Sequence, residues 1–371
     1  MKMDAAVLWE VQGDWSIEEI ELDPPQDGEV LVSFEATGLC HSDHHARTGD
    51  FPAPFPMVGG HEGAGIVQEV GPGVRGLAPG DHVVASFLPA CGKCRWCATG
   101  QQNLCDLGAM LLNGTQLDGT YRRHIGAQDV GASLLLGTFA QYGVVSDASL
   151  VKIDDDLPLS RACLLGCGVT TGWGSAVHTA KVAPGDTVVV IGCGGVGSGA
   201  IQGARIAGAE RIVAVDLVAE KRDKAIELGA THFFTSIEEA TAVVADTTRG
   251  VMADSAILTV GLVEGAMIGQ ALDLIRKGGA VVLTGIAAAA DVTPTLPMAM
   301  FTLFQKRLLG SLYGEANPSA DIPRLLRLFR EGKLLLDETV TTEYKLGDVN
   351  VAFDDMLAGR TIRGVIIHDH H

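Results

Sequence analysis

From the N-terminus to about Ile153 the apolar residues come in short runs, at 5–9, 17–22, 29–36, 65–70, 81–86, 142–146 and 150–153. Each is short, and they are separated by Pro-Pro, Asp-Gly, Gly-Pro-Gly and Pro-Gly turns, a pattern that predicts β-strands with little helix between them. Between 109 and 137 the periodicity fades, which predicts a long loop lining a site or a subunit contact. After Cys167 the pattern changes. A buried-strand run at 187–191 leads into a small-residue helix through Ala207, and a second strand follows at 211–215. Further strands are predicted near 232–235, 255–260, 280–285 and 307–313, alternating with helices at 219–228, 237–245, 265–275 and 298–304. Strands alternating with helices predict an α/β unit built on a doubly wound, parallel, six-stranded sheet. Beyond about 312 the pattern gives a helix at 322–330, a segment at 339–344, a helix at 349–357 and a last strand at 364–368.

A chain of 371 residues is long enough for two domains that each bury a core. No run of about 18 apolar residues occurs, and no apolar stretch follows residues 1–4, so a soluble, cytoplasmic protein with no membrane partner is expected. The formal charge of −18 repels phosphate backbones, which argues against nucleic acid. Eight cysteines without an export signal point to metal ligation rather than disulfides.

Those thiols fall into two sets. Cys40, His61 and Cys167 come from three segments, and two thiolates with one neutral imidazole leave a fourth position open, the ligand set of a catalytic zinc. Cys91, Cys94, Cys97 and Cys105 lie within fifteen residues and can close a tetrahedral cage with no open position, which makes a structural zinc. Cys163 and Cys193 remain as small packing residues. In the second half, Gly192-Cys193-Gly194-Gly195-Val196-Gly197 follows a strand and opens a helix, and Asp216 stands nineteen residues past the last glycine at the end of the next strand. That context predicts a dinucleotide site: the glycines let the backbone approach a pyrophosphate, and Asp216 accepts from the adenosine ribose and repels a 2′-phosphate, favouring NAD over NADP.

The segment Gly59-Gly60-His61-Glu62-Gly63, the cysteine block 91–105 and the glycine motif resemble, in this order, the signatures of the medium-chain, zinc-dependent alcohol dehydrogenases, and the resemblance covers nearly the whole chain. Within that family, Cys40-His41-Ser42-Asp43-His44-His45, Gly137-Thr138-Phe139 and Gly166-Cys167-Gly168-Val169-Thr170-Thr171-Gly172 resemble the actinobacterial nicotinoprotein branch, which keeps its cofactor bound and uses nitrosodimethylaniline as an artificial acceptor. The resemblance implies a GroES-like, mostly β catalytic domain (1–168 and 312–371, with the zinc lobe at 91–105), a Rossmann domain (169–311), two zinc ions and NAD(H), and a homo-oligomer. It implies oxidation of a small-molecule alcohol to an aldehyde, with zinc stabilising the alkoxide and hydride passing to nicotinamide. Ser42 and His45 would carry the proton away, Glu62 would stand behind the zinc as a transient ligand or a charge, and Asp43 would fix the tautomer of His61. Cofactor contacts are implied for His41, Thr171, Gly192, Gly194, Gly195, Val196, Gly197, Asp216, Lys221 and Arg363, and apolar substrate contacts for Phe51 and Phe87. Two other functions fit less of the chain. A thiol-adduct formaldehyde dehydrogenase differs in substrate, and a non-catalytic NAD-binding protein has no need of Cys40, His61, Cys167 and Ser42.

Overall fold

Strand Glu29–Gly38 is the spine of the first half. One of its edges pairs with Gly63–Val70, and the other is shared end to end by Tyr142–Ser146 and Arg363–Ile367, all antiparallel. His82–Ala85 and Leu150–Ile153 extend this sheet on one side, and Val340–Tyr344, parallel to Arg363–Ile367, extends it on the other. Lys2–Leu8, Ser16–Leu22, Arg123–Ile125, Gln128–Ala132 and Met57–Val58 close into a small barrel. The computed structural model describes residues 1–289, 294 and 296–370. It divides into two compact units: Met1–Cys167 with Asn317–Leu328 and Val340–His371, and Gly168–Ala316 with Phe329–Thr339.

Three features of the first unit differ from the sequence reading. The 109–137 segment is not one loop, because Arg123–Ile125 and Gln128–Ala132 form a hairpin that helps to close the barrel. Strands of three and five residues are too short for alternation to declare itself. Met57–Val58, shorter still, was likewise not predicted. A true helix, His41–Thr48, stands where little helix was expected. It buries Asp43 and His45 beside Ala46, so it has no apolar stripe for a pattern to reveal. The division of the chain also differs from 169–311 with a returning tail at 312: the second unit continues to Ala316 and takes back Phe329–Thr339.

In the second unit the strands lie in the order His232–Phe234, Arg211–Val215, Thr187–Ile191, Ala253–Leu258, Ile275–Leu283, Arg307–Gly310, every pair parallel. Val188 and Val190 enter one core, with Ile201 and Ala204, while Val189 and Ile191 enter another, with Leu272 and Leu274. Burial on both faces explains the unbroken apolar run, each such side chain contributing about 1.5–3 kcal/mol. Helix Gly195–Ala207 packs on helix Gly168–Gly174, which the sequence reading had not assigned. A Cβ on Gly199 or Gly203 would come within 3.0 Å of the Val169 or Trp173 carbonyl oxygen, so small residues set this close approach.

Candidate active site and metal centres

Cys40 caps the N-terminus of helix His41–Thr48, directly after strand Glu29–Gly38. His61 lies in the turn before strand Gly63–Val70, where Gly60 adopts φ +82° and a Cβ would strike Phe139 and Thr138. The helix turns Asp43 under the imidazole: Oδ2 lies 3.0 Å from His61 Nδ1, and both side chains are fully buried. Asp43 Oδ1 accepts from the Gly60 main-chain N–H at 2.9 Å and from the Ser133 hydroxyl at 3.1 Å. Burial pulls the imidazole's pKa down, but Asp43 and Cys40 outweigh it and hold His61 well above its ordinary value. Neither ring nitrogen meets hydrogen-bond geometry among the described residues; Asp43 Oδ2 still faces Nδ1 at 3.0 Å, and burying Nε2 is costly unless something else occupies its lone pair.

Cys167 follows the short turn Cys163–Gly166, and one ligand atom from each of Cys40, His61, Glu62 and Cys167 lies within 4.8 Å of the others, all buried. The two thiols act on each other. Hydrogen bonding with Cys167, aided by His61, holds Cys40 well below the usual thiol range, and the bond to Cys40, with burial, pushes Cys167 well above it. Two sulfurs and an orphaned imidazole nitrogen are a donor set that fits zinc. Glu62 turns to Arg363, whose Nη2 donates to Oε2, with both residues buried. Sequence reasoning put Arg363 on a pyrophosphate; the structure places its guanidinium, 3% exposed, on this carboxylate. Gly38 makes room for the pair, since a Cβ there would fall within 3.0 Å of both.

Ser42 Oγ stands 3.6 Å from Cys40 Sγ, at the start of the same helix. His45, nearly buried one turn further on, places Nδ1 2.7 Å from Asp50 Oδ2. The rings of His41 and Phe51 lie 6.2 Å and 6.3 Å from that of His45, and Phe87 meets His61 edge-on at 5.8 Å. Sequence reasoning missed Asp50 and Ser133. Nothing in the spacing of Ser133, ninety residues from Asp43, could have revealed it, whereas the Thr48-Gly49-Asp50 helix stop was a usable signal for Asp50.

The four-cysteine lobe is assembled as a cage. The sulfurs of Cys91 and Cys97 lie 3.9 Å apart, those of Cys94 and Cys105 4.0 Å apart, and all four side chains offer ligand atoms within 4.8 Å of one another. Main-chain N–H groups of Cys91, Cys94 and Cys97 point at the sulfurs of Cys105, Cys91 and Cys94 at 3.3–3.5 Å. The N–H of Cys97 heads the causes that lower the Cys94 thiol to about 6, whereas burial pushes the Cys97 thiol up to about 12 and raises that of Cys105.

In the second unit, Gly192 adopts φ +96° and packs on Thr259 and Val260, while Gly197 lies against the Gly192 carbonyl. A Cβ on Gly194 would meet nothing within 4 Å, so the loop is open at the N-terminus of the thirteen-residue helix Gly195–Ala207, a cradle suited to a pyrophosphate. Asp216 Oδ2 accepts from the Cys193 N–H at 2.7 Å, and Lys221 Nζ lies 3.0 Å from it, which joins the acid to the glycine loop. Thr171 sits within helix Gly168–Gly174 and is nearly buried.

Residues 26–155 match the family model of the alcohol dehydrogenase GroES-like domain, and 195–331 match that of the zinc-binding dehydrogenases. The chain is 53% identical to the NDMA-dependent alcohol dehydrogenase of Amycolatopsis methanolica, over 99% of each. It is 52% identical to alcohol dehydrogenase B of Mycobacterium tuberculosis, over 99% of this chain and 98% of that one. Among solved structures, benzyl alcohol dehydrogenase of Acinetobacter calcoaceticus superposes with a TM-score of 0.92 at 31% identity, covering all of both chains. The chain therefore belongs to the zinc-type, medium-chain alcohol dehydrogenase family of enzymes.

Proposed function

We propose that the chain oxidises an alcohol to an aldehyde, using a zinc ion held by Cys40, His61 and Cys167, a structural zinc in the Cys91, Cys94, Cys97 and Cys105 cage, and an NAD(H) that stays on the 192–197 loop. The observation that carries this reading is the buried cluster of two thiols and His61, whose Nε2 has no hydrogen-bond partner among the described residues. A zinc ion bound there supplies the Lewis acidity that helps an alcohol lose its proton, and a bound nicotinamide accepts the hydride. Asp43 holds the His61 ring in place through Nδ1. Arg363 keeps Glu62 engaged and offsets negative charge behind the two thiols. The Ser42 hydroxyl takes the alcohol's proton while giving up its own, because it is too weak a base to hold an additional one, and His45 receives that proton and releases it to water. Phe87 beside His61 and Phe51 beside His45 favour an apolar alcohol, aromatic or longer-chain.

A cofactor that does not exchange is supported by the relationship to the NDMA-dependent enzyme. The test is to denature purified active protein and quantify zinc and released nicotinamide nucleotide, expected at about two and about one per chain. Turnover is then compared with an artificial acceptor and with added NAD. A single zinc in active enzyme overturns the metal assignment, and steady reduction of added NAD overturns the retained cofactor.

A further inference from the structure

The turn that ends helix His41–Thr48 is built around His45. Gly49 adopts φ +83°, a left-handed stop that reverses the chain, and the N–H groups of Gly49 and Asp50 both donate to the His45 carbonyl at 3.0 Å. This reversal brings the Asp50 side chain back along the last helical turn, where Oδ2 meets His45 Nδ1 at 2.7 Å and accepts from the Thr48 hydroxyl at 2.6 Å. Asp50 thus holds both the main chain and the side chain of His45, with Gly49 and Thr48 adding bonds to the carbonyl. The Thr48 hydroxyl and then His45 keep the Asp50 carboxyl below the usual carboxylate range, so it acts as an acceptor only. An imidazole nitrogen facing an acceptor must carry its hydrogen.

We propose that Asp50 is the positioning residue of His45: its carboxylate fixes the imidazole with hydrogen on Nδ1, so that Nε2 is the nitrogen that takes up the alcohol's proton and gives it to water. The proposal rests on the reading of His45 as a proton carrier. While Nε2 holds the extra proton, Nδ1–H stays on Asp50, and the carboxylate stabilises the resulting cation; loss of the proton from Nε2 restores the starting tautomer. No other atom changes its bonding. Arg47 and His44 on the same helix are basic groups, the latter held below its ordinary value chiefly by burial, and Asp50 is the carboxylate hydrogen-bonded to the His45 ring.

The test uses holoenzyme labelled with 15N-histidine, in which the His45 resonances are assigned by their loss in His45→Gln. Wild type is expected to show the Nδ1–H tautomer, and Asp50→Ala to move toward the Nε2–H form. The kcat of Asp50→Ala for alcohol oxidation should fall roughly tenfold, with KM within about twofold and bound zinc and nucleotide unchanged. Asp50→Glu should recover most of the rate. Asp50→Asn, close in shape, guards against misfolding: its amide N–H can donate to Nδ1 while its oxygen accepts from Thr48, so it should shift the ring toward the Nε2–H form and lose at least as much rate as Asp50→Ala, with zinc and melting temperature unchanged. Wild-type tautomer and rate in Asp50→Ala overturn the proposal, as does a fall accompanied by equal loss of zinc and melting temperature. If His45→Gln itself runs at the wild-type rate, the proton-carrier reading fails first; if His45→Gln is slow while Asp50→Ala is not, only the role of Asp50 fails.

Discussion

Gly194 and Gly197 stand three residues apart in one loop, and alanine should affect them in opposite ways. At Gly197, inside helix Gly195–Ala207, alanine ordinarily adds up to about 1 kcal/mol of helix stability. Here its Cβ would lie within 3.0 Å of the Gly192 carbonyl oxygen, a main-chain atom that cannot swing aside. Overpacking costs about 1–3 kcal/mol, and so close an approach to a main-chain atom puts this site at the upper end, so after the helix gain a net loss near about 2 kcal/mol is expected. For a unit of about 160 residues that lowers Tm by roughly 4–8 °C. At Gly194 a Cβ meets nothing and the backbone, at φ −82°, accepts any residue, so stability should change by less than about 0.5 kcal/mol. The added methyl instead occupies the space a pyrophosphate needs, and nucleotide affinity should fall about 10²-fold, or about 2.7 kcal/mol. Both variants are to be compared as nucleotide-stripped protein by calorimetry, because bound ligand itself raises Tm, and then by titration with NAD(H). Unchanged affinity in Gly194→Ala, or an equal loss of Tm in both, refutes the reasoning.

Cys40→Ala should lose activity and about one zinc by metal analysis while its far-UV spectrum stays native, whereas Cys94→Ala should open the cage and cost solubility or assembly; one zinc retained in the same place by both would contradict the two-site assignment. Asp43→Ala strips His61 of its carboxylate and leaves the Gly60 N–H and the Ser133 hydroxyl without their acceptor, so stability should fall by about 3 kcal/mol and zinc should be lost to a chelator 10–100-fold more readily. His124 lies 3.0 Å from both Asp23 and Asp129; burial lowers its pKa, but the two carboxylates win and raise it. Its stabilisation is therefore complete below the unfolded value of about 6.5 and disappears as pH climbs through the higher folded value. The difference in Tm between wild type and His124→Gln, worth less than about 1 kcal/mol at this partly exposed position, should shrink as pH rises above about 6.5, and a constant difference counts against the pairing.

The parallel sheet was legible because Val188–Ile191 and its neighbours are buried on both faces and must be apolar throughout. The two thiol clusters were legible because cysteine at such spacings has few uses other than metal ligation. Helix His41–Thr48 was not, since what it buries is an aspartate and a histidine, and burial of polar groups leaves no periodic trace. Asp50, Ser133 and the place of Arg363 were hidden for a related reason. Each acts through a partner brought near by a turn or by a strand pairing distant in sequence, as Arg363 reaches Glu62 only because Val365 pairs with Gly38.

Strand Arg363–Ile367 completes the sheet on Ala36–Gly38 and brings the guanidinium that answers Glu62, yet all of the second unit, through Thr339, precedes it in the chain. On a ribosome, then, the unit that begins the polypeptide is the last to close. Until strand Arg363–Ile367 emerges, part of the edge of Glu29–Gly38 stays open to unwanted pairing, and Glu62 lacks the guanidinium that pairs with it. The glycine-loop unit has no such wait, because every segment it needs has already been made. The cluster of Cys40, His61 and Cys167 therefore gains its full electrostatic setting only after the second unit has been made and Arg363 has emerged.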